Sequence, residues 1–116
     1  MEFLSKLESL GVNVNEGLDR VMGDKDLYVM MLDMFVSAVR DTPIQPEEFD
    51  GGNLEDLIAR VHTLKGTTGN LSITPLFTQY TNTLTLLREG RPAEAKAAYM
   101  KLLSVQADIL ACIQQH

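Results

Sequence analysis

The sequence predicts an all-α protein, an antiparallel up-down-up-down four-helix bundle with a short helical segment ahead of it. Three observations predict it. Apolar residues recur at three-four spacing along four long stretches, Pro and Gly clusters separate those stretches, and no stretch alternates with the period of two that a half-buried strand requires. Four amphipathic helices joined by short turns bury their stripes most simply against one another in up-and-down order.

The elements follow in chain order. FLSKLESL and VNVNEGLDRVMG supply one or two short helices across an end of the bundle. Asp24 then serves as N-cap for a first long helix, in which Leu27, Met31, Phe35 and Ala38 recur at helical spacing until Thr42-Pro43 stops it. This helix is more apolar than one buried stripe requires. Leu27, Tyr28, Met31, Phe35 and Ala38 suffice to face the core, which leaves Val29, Leu32 and Val36 either under the N-terminal Phe3, Leu4, Leu7 and Leu10 or at the bundle edge. Met30 and Met34, one turn apart, are expected to be a partly exposed pair beside His62 of the second helix, since flexible thioethers suit a surface that accepts more than one partner.

TPIQPEEFDGGN is a loop, with Asn53 as the next cap. Leu54, Leu57, Val61, Leu64, Thr68 and Leu71 give the second long helix one buried stripe. Thr74-Pro75 starts a third, which ends at Gly90 in a left-handed stop. After Arg91-Pro92, Ala95, Tyr99, Leu102, Gln106, Ile109 and Ile113 mark the fourth.

Composition bounds the function. A chain of 116 residues is one domain, 1–116, with room for a single core. Its net charge of −6 argues against nucleic acid and anionic membranes as partners, since both select basic patches. No stretch is long enough to span a bilayer, and the start MEFLSKLESLG lacks the apolar core of a signal peptide, so the expected compartment is the cytoplasm. The one cysteine, Cys112, lies among Ile109, Leu110 and Ile113 and reads as a buried structural thiol.

One stretch of the second helix, HTLKGTTGNLS from 62 to 72, departs from these rules. Glycine inside a helix costs about 1 kcal/mol against alanine, and here Gly66 and Gly69 stand near a histidine. At about 100° per residue, His62 points roughly 130° away from the apolar stripe, with Ala59, Lys65, Gly66 and Gly69 on the same exposed side. Two roles remain open on these residues. His62 is an ordinary surface histidine above a helix end that frays at Gly66 and is capped at Gly69-Asn70, or it is a nucleophile for a phosphoryl group.

A metal site is disfavoured, because the other histidine is the terminal His116 and no paired cysteines exist. Neither a nucleophile elbow nor a phosphate-cradling loop is present. Phosphoryl chemistry suits the face better. An imidazole of ordinary pKa, about 6.5, is largely neutral near pH 7 and attacks phosphorus without a dedicated base. Lys65, one turn on, can neutralise phosphoryl oxygens, and glycines give a donor held inside another protein a flat flank to approach.

His62-Thr63-Leu64-Lys65-Gly66-Thr67-Thr68 with Leu71-Ser72 resembles the signature of histidine-containing phosphotransfer (HPt) domains. Gly23-Asp24-Lys25-Asp26-Leu27-Tyr28, Phe35 and Leu87-Arg88-Glu89-Gly90 extend the resemblance over nearly the whole chain. It implies a four-helix bundle that relays phosphate between aspartates of response-regulator receiver domains, with His62 as phosphoacceptor, Lys65 as charge partner and Gly66 as close-approach residue. The two helices bearing His62 and Met30/Met34 would share the receiver-binding surface. Ser72 stands where the family usually has glycine. Leu84 stands where some members place a glutamine that hydrogen-bonds the imidazole, with Thr81 and Thr85 as nearby substitutes.

The expectation is a phosphocarrier and not an enzyme. It would be a cytoplasmic monomer without cofactor, nucleotide or metal of its own, taking Mg²⁺ chemistry from partner receivers and possibly serving a hybrid sensor kinase. The initial Met and the extra N-terminal segment favour a free-standing protein. Two other classes are the phosphotransfer region of a sensor kinase, whose motif normally has an acidic residue where Thr63 stands, and a non-catalytic helical interaction module, against which His62, Lys65 and Gly66 together argue.

Overall fold

A computed structural model describes residues 2–116, and every regular element among them is helical. Two short helices, α1 (Phe3–Ser9) and α2 (Val14–Arg20), precede α3 (Lys25–Asp41). A short 3-10 helix over Pro46–Asp50 leads to α4 (Leu54–Asn70), α5 (Thr74–Arg88) and α6 (Pro92–Gln114).

Local chemistry sets the ends. Asp24 Oδ1 accepts the Leu27 amide at 3.0 Å and Asn53 Oδ1 accepts the Asp56 amide at 3.1 Å, each satisfying a donor that the first helical turn leaves free. Gly90, with φ +73°, turns the chain out of α5. Thr74 does not cap α5: it is already helical, and Ile73 precedes the helix without a side-chain bond.

Helix α5 packs against both α4 and α6, while α3 packs against α4 and α6, and α1 and α2 cover α6 and α3 respectively. The buried side chains form one core, to which α4 gives Leu57, Val61 and Leu64 and α6 gives Tyr99, Leu102, Ile109 and Ile113. In α3 the fully buried stripe is Tyr28, Leu32 and Phe35, while Met31 and Ala38 are half-buried. Leu32 therefore belongs to the core. The stripe is rotated from the expected one because α3 is covered by α2, α4 and α6, and the apolar centre follows the mean direction of those neighbours.

Buried hydroxyls tie the elements together. Tyr28 Oη donates to the Leu71 carbonyl at 2.9 Å, Tyr99 Oη to the Ile44 carbonyl at 2.8 Å, and Tyr80 Oη to the Gln106 side chain. Burial pushes the Tyr28 and Tyr99 phenols up to about 12, so both stay protonated donors. The 42–53 connection is more ordered than a plain loop. Phe49 is buried and stacks on Tyr99 at 5.3 Å between ring centres, and Arg60 donates to the Pro43 carbonyl at 2.7 Å and pairs with Glu48. Cys112 is buried, and burial raises its thiol pKa, which leaves it without thiolate reactivity. Among the described residues, no helix is long and apolar enough to cross a membrane.

Candidate functional site

Leu57, Val61, Leu64 and Thr68 of α4 are buried, which turns His62 outward. Among the described residues, no side chain hydrogen-bonds or ion-pairs with His62, and Lys65, partly buried one turn on, has no carboxylate partner. Ala59 and Gly66 are exposed on the crown of the same helix. The imidazole and the ammonium thus share an open flank.

The two glycines lie inside α4, and neither has a positive φ. The helix end needs no glycine conformation: Leu71 is the C-cap, the Ser72 amide donates to the Gly69 carbonyl at 3.1 Å, and it is Ser72 that adopts the left-handed conformation at φ +56°. They separate in purpose. A Cβ on Gly69 would stand 2.9 Å from the Phe77 ring of α5, so this glycine is required by packing. A Cβ on Gly66 would meet nothing within 4 Å, so no neighbour inside the protein explains it.

Gly69 also shows where His62 faces. Residues seven apart fall within about 20° on a helix, so His62 lies on the stripe that Gly69 packs against α5. On α5, Phe77, Thr81, Leu84 and Arg88 recur at three-four spacing on the side that Phe77 turns toward α4. Leu84 is 2 % exposed. It belongs to the core and not to a contact surface, because the apolar side chain is packed into the cluster of buried residues. Thr81 Oγ1 is buried without a partner, Thr85 is exposed, and neither hydroxyl reaches the imidazole.

Met30 and Met34 are 53 % and 62 % exposed on the side of α3 turned away from the core. On α4, Arg60, which donates to the Pro43 carbonyl just beyond α3, points about 160° from His62, and Ala59 and Gly66 lie on the crown between those two directions. Changing Met34 to glutamate is therefore expected to alter stability by less than about 0.5 kcal/mol, as measured by urea denaturation; a loss above about 2 kcal/mol would place the side chain in the core.

Two residues of this flank escape a reading of α4 alone. Phe77, 37 % exposed, is its aromatic neighbour, and Arg88, exposed and without an ion pair among the described residues, closes the same stripe of α5. Their spacing from Leu84 is the signal that finds them. The other histidine is occupied: His116 Nε2 lies 2.7 Å from Asp33 Oδ1, and its ring lies against Phe3. Among the described residues, no group of three or more His, Cys, Asp or Glu side chains is placed to hold a metal ion.

The geometry defines an all-helical protein in which, among the described residues, an exposed imidazole without a side-chain partner stands on an uncrowded helix flank next to an ammonium without a carboxylate partner. No family model, curated protein or solved structure matches the chain.

Proposed function

We propose that this chain is a histidine phosphotransfer protein. Its four long helices, α3 to α6, form an up-down-up-down bundle that presents His62 to receiver domains. The observation that carries the proposal is the pairing of an unengaged His62 with Gly66, a helical glycine for which the fold itself has no use. A flat flank one turn from the nucleophile is what a phosphoryl donor recessed in a partner's active site requires.

In the proposed step, the lone pair of a neutral His62 ring nitrogen attacks the phosphorus of a receiver's aspartyl phosphate. The N–P bond forms, the P–O bond to the aspartate breaks, and the carboxylate leaves with the electron pair. The second ring nitrogen keeps its proton. Lys65 offsets charge on the phosphoryl oxygens, and the receiver supplies Mg²⁺. The reverse step passes the group to a second receiver. The chain is a cytoplasmic phosphocarrier that binds no nucleotide, and exposed Met30 and Met34 extend its docking surface onto α3.

Gly66 offers the direct test. Gly66→Ala is expected to raise stability by up to about 1 kcal/mol, because the new methyl meets no neighbour, whereas Gly66→Gln should block transfer from a phosphorylated receiver with little change in folding. Transfer by Gly66→Gln at the wild-type rate would remove the functional account of this glycine.

A further inference from the structure

Residues 57–88, more than a quarter of the chain, hold none of its sixteen carboxylates. They carry three cations, while the rest of the chain carries seven cations and all sixteen acids, so a protein of net charge −6 contains one segment of charge +3. That segment is the α4–α5 hairpin around His62. Resting on the phosphocarrier proposal, we propose that the outer face of this hairpin, α5 included, is the seat of the receiver's anionic, Mg²⁺-binding rim, kept clear of carboxylates so that an acidic protein can admit an acidic site.

The cations of this face are available. Arg60 is engaged by Glu48 and Asp56 and points away from His62, but Lys65 and Arg88 have no ion pair among the described residues. The Gly69–Phe77 contact sets the level of one helix against the other. Counting outward from it along the antiparallel pair at about 1.5 Å per residue, Leu84 falls level with His62, with Lys65 about one turn nearer the connection and Arg88 about one turn farther from it. The imidazole therefore stands between two unpaired cations. Apart from Phe77 and Arg88, the exposed positions of α5 are the neutral Thr74, Thr78, Asn82 and Thr85, and Arg88 is the one charged residue of the helix. A solvated helix face ordinarily carries charges, and α6 exposes Glu94, Lys101 and Asp108.

The acids begin where the face ends. Glu55 shares the stripe of His62 but lies seven residues back, about 10 Å along the axis, which is a Debye length near 0.1 M salt. Glu89 pairs with Arg91, and Glu16, by the α4–α5 turn, is held by Arg20 and Ser72. Chemistry selects the occupant. A site that carries an aspartyl phosphate and holds Mg²⁺ must bring carboxylates together, since Mg²⁺ is bound through carboxylate and phosphate oxygens, so the rim around it is anionic. Like charges juxtaposed across an interface oppose association, and opposite charges steer it. Over α4–α5 this chain meets such a rim with two cations and no carboxylate; over α6 it would meet it with Glu94 and Asp108.

The test adds carboxylates to the intact protein: Thr78→Glu with Thr85→Glu on the proposed face, and Ala97→Glu with Ser104→Glu on the exposed face of α6. Labelling of His62 is followed from a receiver that labels the wild type, chosen from a panel of isolated phosphorylated receivers, and from free phosphoramidate, which needs no docking. At about 0.05 M salt the α5 variant is expected to take phosphate from the receiver about tenfold more slowly, and at about 0.5 M salt most of that loss should vanish. The α6 variant, and all labelling by phosphoramidate, should stay at the wild-type rate. The proposal is overturned by wild-type transfer in the α5 variant, by an equal loss in the α6 variant, by a loss that salt does not relieve, or by equal losses with both donors, which would mean a change in the fold. A wild type labelled by no receiver of the panel would instead overturn the phosphocarrier proposal itself.

Discussion

His62→Gln is expected to abolish the uptake of acid-labile phosphate from a phosphorylated receiver while leaving the fold intact. Glutamine keeps an amide of similar reach but has no nucleophilic nitrogen, so no N–P bond forms. The side chain is exposed and unengaged, which limits the stability change to about 0.5 kcal/mol. Radiolabelled transfer, read alongside the thermal unfolding midpoint, separates the two effects. Full labelling of the glutamine variant would move the phosphoacceptor elsewhere, and His116, paired with Asp33, is the remaining imidazole.

The largest stability effect is expected at Gly17, on the buried side of α2. A Cβ there would lie 2.5 Å from Tyr28 Cε1 and 2.7 Å from Cζ, inside the ring's van der Waals surface. Neither partner can yield cheaply. The Tyr28 ring is wholly buried, and its hydroxyl donates to the Leu71 carbonyl at the end of α4. Overpacking of this kind costs about 1–3 kcal/mol, and loss of the buried hydrogen bond adds about 1 kcal/mol or more. Gly17→Val should therefore lower unfolding free energy by about 3 kcal/mol in urea with an unchanged denaturant slope. Stability within about 0.5 kcal/mol of wild type would show that α2 is not packed on Tyr28.

Much of the local structure was legible in the residues. Asp24 and Asn53 announced the starts of α3 and α4, and Gly90 the end of α5, because capping is settled by atoms within one turn of the cap. The α4 and α6 stripes were legible for a related reason: each helix faces the core with a single arc, so period alone identifies its buried side. The same rule failed in α3. Leu32, assigned to the remaining circumference, lies at 0 % exposure, since three neighbouring elements decide which arc is covered.

By itself the sequence determined that the protein is helical, that His62 points away from the buried stripe of its own helix, and that Lys65 and Gly66 accompany it. Periodicity measures angle around one axis and says nothing of what stands across from that angle. Only the tertiary structure decided that Gly69 is a packing residue against Phe77 while Gly66 opens to empty space, that Leu84 is core, and that Met30 and Met34 are exposed. Two glycines three residues apart are equivalent in one dimension. They differ because a ring from α5, eight residues beyond Gly69 in the chain, occupies the space beside one and not the other.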